Sequence, residues 1–159
     1  MIEIIPNWHP IWVHFAIALL VTGTVIYAVF GWKANSGTTE PTQALVVSRW
    51  MIWLGAIASL VSLLTGYWAS TSVAHDDLAH ANMLVHRNWA IGATVIFVIG
   101  AGWEFLRRKA NRAAVLSVAL FLAGSAALLV TGMEGAENVY EHGLGVKRLP
   151  EVSDHDHSH

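Results

Sequence analysis

The histidines are the residues whose type and spacing could support chemistry in this sequence. There are nine histidines and no cysteine. A neutral imidazole is a common metal ligand, and the lack of cysteine excludes thiolate metal sites, disulfides and covalently attached c-type haem. Six histidines lie next to four long apolar segments, always on the same side of them: His9, His14, His75, His80, His86 and His142.

The apolar segments define the class of fold. Of the 159 residues, 55% are hydrophobic and 13% are charged, against roughly a quarter charged in soluble domains. Four segments, at about 11–32, 44–70, 84–106 and 113–133, reach the roughly 20 residues that a membrane helix needs. We therefore predict an all-α integral membrane four-helix bundle over residues 1–150, followed by a polar His-rich tail, 151–159. The net charge of −2 gives no sign of a nucleic-acid partner, and the lipid bilayer is the expected surroundings.

The basic residues predict an orientation. Six of the nine Lys and Arg residues lie in or beside the first and third connections, at the end of the bundle away from the histidines: Lys33, Arg49, Arg107, Arg108, Lys109 and Arg112. Cytoplasmic loops carry an excess of basic residues. We therefore expect a multi-pass protein of a bacterial inner membrane with both termini and all histidines on the periplasmic side. Glu104 and Glu134 are expected to mark helix ends in water.

The two halves of the chain resemble each other. His14 precedes Trp32 by 18 residues and His86 precedes Trp103 by 17, and the second and fourth segments both end in a Thr-Gly pair followed by a histidine. This pattern predicts two duplicated helical hairpins around an axis along the membrane normal. The expected symmetry mates are His14 with His86, and His75 with His142.

Convergent histidines in an apolar bundle are typical of haem b, which needs two imidazoles on opposite faces and an apolar slot. His14 and His86 are the predicted axial ligands, with His9 and His142 as alternates or as a second pair, so that one haem or two could bind. The expected activity is electron transfer at the outer face.

Three alternatives stay open. The six histidines, His75 and His80 with least support, could bind a zinc, copper or iron ion. Histidine and glutamate at a membrane boundary could relay protons. The protein could also be a cofactor-free structural or assembly subunit, because a single interfacial histidine often only caps a helix or meets water. The sequence contains no Walker, GxSxG, HExxH or CxxC motif, so an electron carrier or accessory subunit is expected rather than a stand-alone enzyme.

Two stretches resemble a known family. "HPIWVHFAIALL" (9–20) and "GMEGAENVYEHGLGV" (132–146) are similar to the signature HPxxVHFPIAL … VYxHGxGV of a bacterial family of four-helix membrane proteins catalogued as a domain of unknown function. Ala16 stands where the signature has proline, and the closing glycines are interrupted by other residues.

The resemblance has implications for the site and its partners. The family's histidine positions fall on His9, His14, His86 and His142. Its members are sometimes joined to cytochrome c or Rieske-like domains, which implies a membrane or periplasmic redox partner. Small residues on several helices would also permit a homodimer.

Overall fold

The computed structural model describes residues 7–33, 40–73 and 75–146. They form four helices and, within these ranges, no β-strand: α1 (His9–Phe30), α2 (Gln43–Ser72), α3 (Asp77–Leu106) and α4 (Val115–Tyr140). Each is long and apolar enough to cross a membrane. The predicted all-α four-helix bundle is confirmed, while the tail with His155, His157 and His159 lies outside the described residues.

Two helices extend further than the hydropathy predicted. α3 begins at Asp77 rather than near residue 84, and α4 continues to Tyr140 rather than ending near 133. Both extensions carry polar residues, which lower hydropathy without preventing a helix. Asp76 caps α3, because its Oδ1 accepts a hydrogen bond from the Ala79 amide at 2.8 Å, and such caps are typical of helix starts.

The sequence "HGLG" explains where α4 ends. The amide of Leu144 donates to the carbonyl of Asn138, and that of Gly143 donates to Val139. Gly143 has φ +64°, the left-handed conformation that this type of helix ending requires and that glycine adopts without strain. The closing glycine of the family signature thus has a structural role, and His142 is placed at the helix end.

Glycines set the packing inside each hairpin, where α1 packs on α2 and α3 packs on α4. A Cβ at Gly55 would lie 2.7 Å from Leu20, and one at Gly124 would lie 2.8 Å from Phe97. A side chain at either glycine would have to displace the residue that packs on it. Leu20 and Phe97 are fully buried, so these contacts lie in the core.

The same contacts establish the register of the duplication. Phe97 follows Leu20 by 77 residues, and Gly124 follows Gly55 by 69. A second set obeys the same offsets, because Gly23 meets Ile52 as Gly100 meets Phe121. In this register His9 is the equivalent of His86. The expected equivalent, His14, lies five residues further along α1, so that expectation is corrected. The weak apolar similarity of the two halves could not fix the alignment, whereas the glycine contacts do.

A buried ion pair joins the hairpins at the end of the bundle that carries the basic residues, called here the basic end. Arg49 Nε donates to Glu104 Oε2 at 2.9 Å, and the two side chains are 2% and 0% exposed. The expectation that Glu104 marks a helix end in water is therefore wrong. Glu104 Oε1 also accepts hydrogen bonds from Arg107 and Ser117, so each carboxylate oxygen is paired.

Arg49 also caps the end of α3. Its guanidinium donates to three backbone carbonyls, those of Arg107, Arg108 and Ala110, at 2.9–3.2 Å. These carbonyls follow the last turn of the helix, where intrahelical partners run out. The first hairpin thereby adds to the hydrogen bonds of the α3–α4 connection, in which the Ala110 amide donates to the Arg107 carbonyl.

A second link at the basic end comes from α1. Tyr27 is fully buried, and its hydroxyl accepts a hydrogen bond from the Ala114 amide at 3.1 Å. The Gly31 carbonyl accepts from the Ala113 amide at 2.7 Å. Both helices of the first hairpin are therefore tied to the second hairpin here.

The first prediction concerns this network. Arg49→Met should lower the free energy of unfolding by about 3–5 kcal/mol, since removing one partner of a buried pair leaves the other without compensation. Thermal unfolding in detergent, followed by circular dichroism, measures the loss. Arg112→Met removes an exposed charge from the same end and should change stability by less than about 1 kcal/mol. Equal effects of the two substitutions would contradict a structural role for the pair.

Candidate functional site: a histidine pair between the hairpins

His9 and His86 face each other at the opposite end of the bundle, called here the histidine end. Their ring centroids are 6.4 Å apart and the ring planes are nearly perpendicular, at 88°. His9 opens α1, where the side-chain oxygen of Asn7 accepts a hydrogen bond from its amide at 3.0 Å and Pro10 lies in the first turn. His86 lies within α3. The two residues are equivalent under the duplication, and their contact crosses the boundary between the hairpins.

Each ring is held by a backbone carbonyl of its own hairpin. His9 Nδ1 donates to the Ser62 carbonyl at 3.0 Å, and His86 Nδ1 donates to the Thr131 carbonyl at 2.9 Å. A carbonyl oxygen only accepts, so both Nδ1 atoms carry the proton, and in a neutral ring the lone pair is then on Nε2. Neither Nε2 makes a hydrogen bond to any residue that the structure describes.

A glycine four residues after each carbonyl makes this contact feasible. A Cβ at Gly66 would lie 2.8 Å from His9 Cε1, and one at Gly135 would lie 3.2 Å from His86 Cε1. In a helix, the residue four positions on stacks directly above the carbonyl. Without a Cβ there, the imidazole can lie on the helix and reach the oxygen. The pairs Ser62–Gly66 and Thr131–Gly135 are thus equivalent seats for the two rings.

The separation of the rings is relevant to metal binding. Two imidazoles on opposite sides of one metal ion, with metal–nitrogen bonds near 2.0 Å, have ring centres roughly 6 Å apart. The observed 6.4 Å is close to this value. Hydrogen bonding of the far ring nitrogen to a carbonyl is also what metal-bound histidines usually show, because it fixes the tautomer and the ring orientation.

The other predicted ligands lie elsewhere. His14 is exposed, and its Nδ1 bonds to the Pro10 carbonyl of the same helix. His142 is half-buried at the end of α4, where its amide donates to the Glu137 carbonyl. Its side chain contacts no other histidine of the described residues, so the structure brings His9, rather than His14 or His142, to His86.

His75 and His80 form a separate pair. Their rings stack with centroids 5.2 Å apart, and His75 Nε2 lies 3.1 Å from His80 Nδ1. Both are exposed in and beside the α2–α3 connection. Within residues 7–33, 40–73 and 75–146, no group of three or more His, Asp or Glu side chains is arranged to hold a metal ion.

Of the residues beside His86, Asn82 and Asn138 were missed by the sequence reasoning. Glu134 is half-buried within α4, six residues before its end, so the expectation that it marks a helix end is wrong, and it directly precedes Gly135, on which His86 lies. One turn on, the buried Asn138 accepts a hydrogen bond from Asn82 at 3.3 Å. The spacing of Thr131, Glu134, Gly135 and Asn138 along one helical face is the signal that could have indicated this group.

The fold and site define a multi-pass membrane protein, a four-helix bundle with a histidine pair at one end. A family model described as "Predicted membrane protein (DUF2231)" matches residues 6–148. The chain belongs to this family, as its two signature stretches indicated. Comparison with curated proteins and with solved structures gave no match.

The second prediction tests the glycine seats. Gly66→Ala should displace the His9 ring and break its hydrogen bond to Ser62, because the added methyl would lie 2.8 Å from Cε1. Nitrogen-15 NMR of labelled histidine distinguishes a hydrogen-bonded Nδ1–H from a ring that exchanges tautomers. Gly132→Ala is the control, since nothing lies within 4 Å of its Cβ. An unchanged His9 signal in Gly66→Ala would contradict the seat.

Proposed function

We propose that this protein is a membrane-bound b-type haem protein that transfers electrons, with His9 and His86 as the axial ligands. One observation carries the proposal: two equivalent imidazoles from different hairpins face each other, each with Nδ1–H bound to a carbonyl and with Nε2 free of hydrogen bonds to the described residues. The proposal keeps the predicted cofactor and replaces His14 by His9.

The donor set fits haem b. Two neutral histidines are a known ligand pair for haem iron, and the absence of cysteine is no obstacle because haem b is not covalently attached. The carbonyls of Ser62 and Thr131 would hold both rings in the tautomer that presents Nε2 to the iron. With both axial positions taken by protein, the haem would supply a one-electron couple rather than a site for oxygen.

The slot for the macrocycle would lie between the hairpins. Contacts within each hairpin are more extensive than those between the hairpins. Two grooves in the described residues, one beside Trp53 and one beside Trp89, are not lined by His9 or His86. Haem held by both histidines would lie between the hairpins at the histidine end, while the Arg49–Glu104 pair joins them at the basic end.

The bare-ion alternative uses the same pair. His9 and His86 would supply two nitrogen ligands to a zinc, copper or iron ion, and no third His, Asp or Glu side chain of the described residues is arranged with them. The pair could equally be a structural contact in a cofactor-free subunit, and the experiment below separates the three functions.

The third prediction is the test of function. Protein produced with a supply of haem and purified in mild detergent should show Soret and α bands in a reduced-minus-oxidised spectrum, with near-stoichiometric iron. His9→Ala and His86→Ala should lose the bands, because each removes one of the two axial ligands. The matched control His14→Ala should keep them.

Each other outcome has a defined meaning. A folded wild-type protein without these bands contradicts the haem proposal. Bound zinc, copper or non-haem iron that is lost in His9→Ala would then favour the ion site, and no metal would favour a structural subunit. Loss of the bands in His14→Ala but not in His9→Ala would restore the ligand pair expected from the sequence.

We further propose that the histidine end faces the periplasm of a bacterial inner membrane. Six basic residues of the basic end, among them Arg107 and Arg108, lie opposite it, and basic residues favour the cytoplasmic side. Both termini would then be periplasmic, and the redox partner would be a membrane or periplasmic protein.

The fourth prediction tests this orientation. The chain has no cysteine, so single cysteines can be introduced without background. In intact cells with a permeable outer membrane, Glu141→Cys should react with a membrane-impermeant maleimide. Arg112→Cys should react only after lysis. The reverse pattern would place the histidine pair in the cytoplasm and exclude a periplasmic partner.

A further inference from the structure

An apolar groove runs between α2 and α3 towards the basic end. Its volume is about 250 Å³, and its walls include Trp53 and Leu60 from α2 with Val98 and Phe105 from α3. The helices are antiparallel, and the groove follows each for about two turns, or roughly 10 Å. It is long and narrow, as a segment of hydrocarbon chain is.

The groove exists because small residues line part of it. A Cβ at Gly102 would have no atom within 4 Å, so the space beside this residue is open. Trp53 crosses between the helices, and its indole Nε1 donates to the Ala101 carbonyl at 3.1 Å. Its ring centroid lies 5.8 Å from that of Phe105. The aromatic pair therefore closes the groove at the end nearest the α3–α4 connection.

Cationic side chains lie at that closed end. The Arg108 guanidinium lies 4.8 Å from the centroid of the Phe105 ring, and Arg108 and Lys109 are both exposed. Glu104, the nearest acidic residue along the chain, is buried and already paired with Arg49 and Arg107. The carboxylate therefore does not cancel the exposed positive charge.

We propose that this groove binds one anionic phospholipid, with an acyl chain along the groove and the phosphate at Arg108 and Lys109. An apolar groove that ends beside exposed cations complements an acyl chain that ends in an anionic headgroup. Basic pockets between membrane helices bind such headgroups. The site lies at the opposite end from the histidine pair, so this proposal stands or fails independently of haem binding.

Native mass spectrometry of the full-length protein tests the proposal. The protein is reconstituted in bilayers of equal phosphatidylglycerol and phosphatidylcholine with identical acyl chains, then released, and the retained lipids are counted. Phosphatidylglycerol should be retained more often, by about fivefold for each basic contact. Arg108→Gln should lower this preference about fivefold, and Gly102→Leu, which fills the groove, should reduce retention of both lipids.

Two substitutions serve as matched controls. Gly92→Leu adds the same side chain to α3 at another position where nothing lies within 4 Å of a Cβ. Arg112→Gln removes a charge from the same connection, at a residue with no ring contact to Phe105 among those described. Both should retain lipid as the unmodified protein does.

Several results would overturn the proposal. Equal retention of the two lipids would exclude an anionic headgroup site. An equal effect of Arg108→Gln and Arg112→Gln would reduce the preference to general surface charge. A dimer that excludes lipid and dissociates in Gly102→Leu would show that a second copy of the chain occupies the groove.

Discussion

The seating of a large side chain on a glycine of the neighbouring helix is the constraint on which the rest of the structure depends. Lipid is as apolar as the helix surfaces, so membrane helices gain little from burying leucine and associate instead through close packing. Leu20 on Gly55 and Phe97 on Gly124 provide that packing in the core. The same arrangement at the histidine end places His9 on Gly66 and His86 on Gly135. The rings are therefore positioned by the packing that forms the hairpins, and their separation follows from how the hairpins meet.

The two ends of the bundle are joined in different ways. At the basic end, Arg49 makes four hydrogen bonds to the second hairpin, and Tyr27 accepts a further one. At the histidine end, the described contact between the hairpins at this pair is that of the His9 and His86 rings. The hydrogen bonds of both Nδ1 atoms stay within their own hairpins. A bundle held firmly at one end can open at the other without losing its core. Insertion of a planar cofactor between the rings would require such opening. The contacts of His9 with Gly66 and of His86 with Gly135 would stay intact.

The sequence alone predicted the number of helices, the class of fold and the family, because hydropathy and the two signature stretches are long-range patterns that tolerate errors of a few residues. It failed where a single residue decides. Apolar repeats align almost equally well in several registers, so His14 was paired with His86 although His9 occupies the equivalent seat. Glu104 near a helix end resembled a solvent-exposed carboxylate, and only its distance to Arg49, 55 residues earlier in the chain, shows that it is buried. The start of α3 at Asp77 and the end of α4 at Tyr140 were missed because these terminal parts of the two helices are polar.

The duplication is broken in one respect that bears on the chemistry of the pair. The residues of α2 equivalent to Glu134 and Asn138 of α4, 69 positions earlier, are Thr65 and Ala69. The two imidazoles thus have the same carbonyl and glycine contacts, but a carboxylate, Glu134, precedes the glycine under His86, where Thr65 precedes the glycine under His9. Equivalent glycine and carbonyl contacts would make the two imidazoles similar as ligands. The carboxylate would stabilise positive charge on a group bound between the two rings. If the bound group were a redox metal, this stabilisation would favour its oxidised form, because the protein sets the reduction potential through charge and hydrogen bonds around the ligands. Duplication would then supply the ligand pair, and divergence of α4 would tune it.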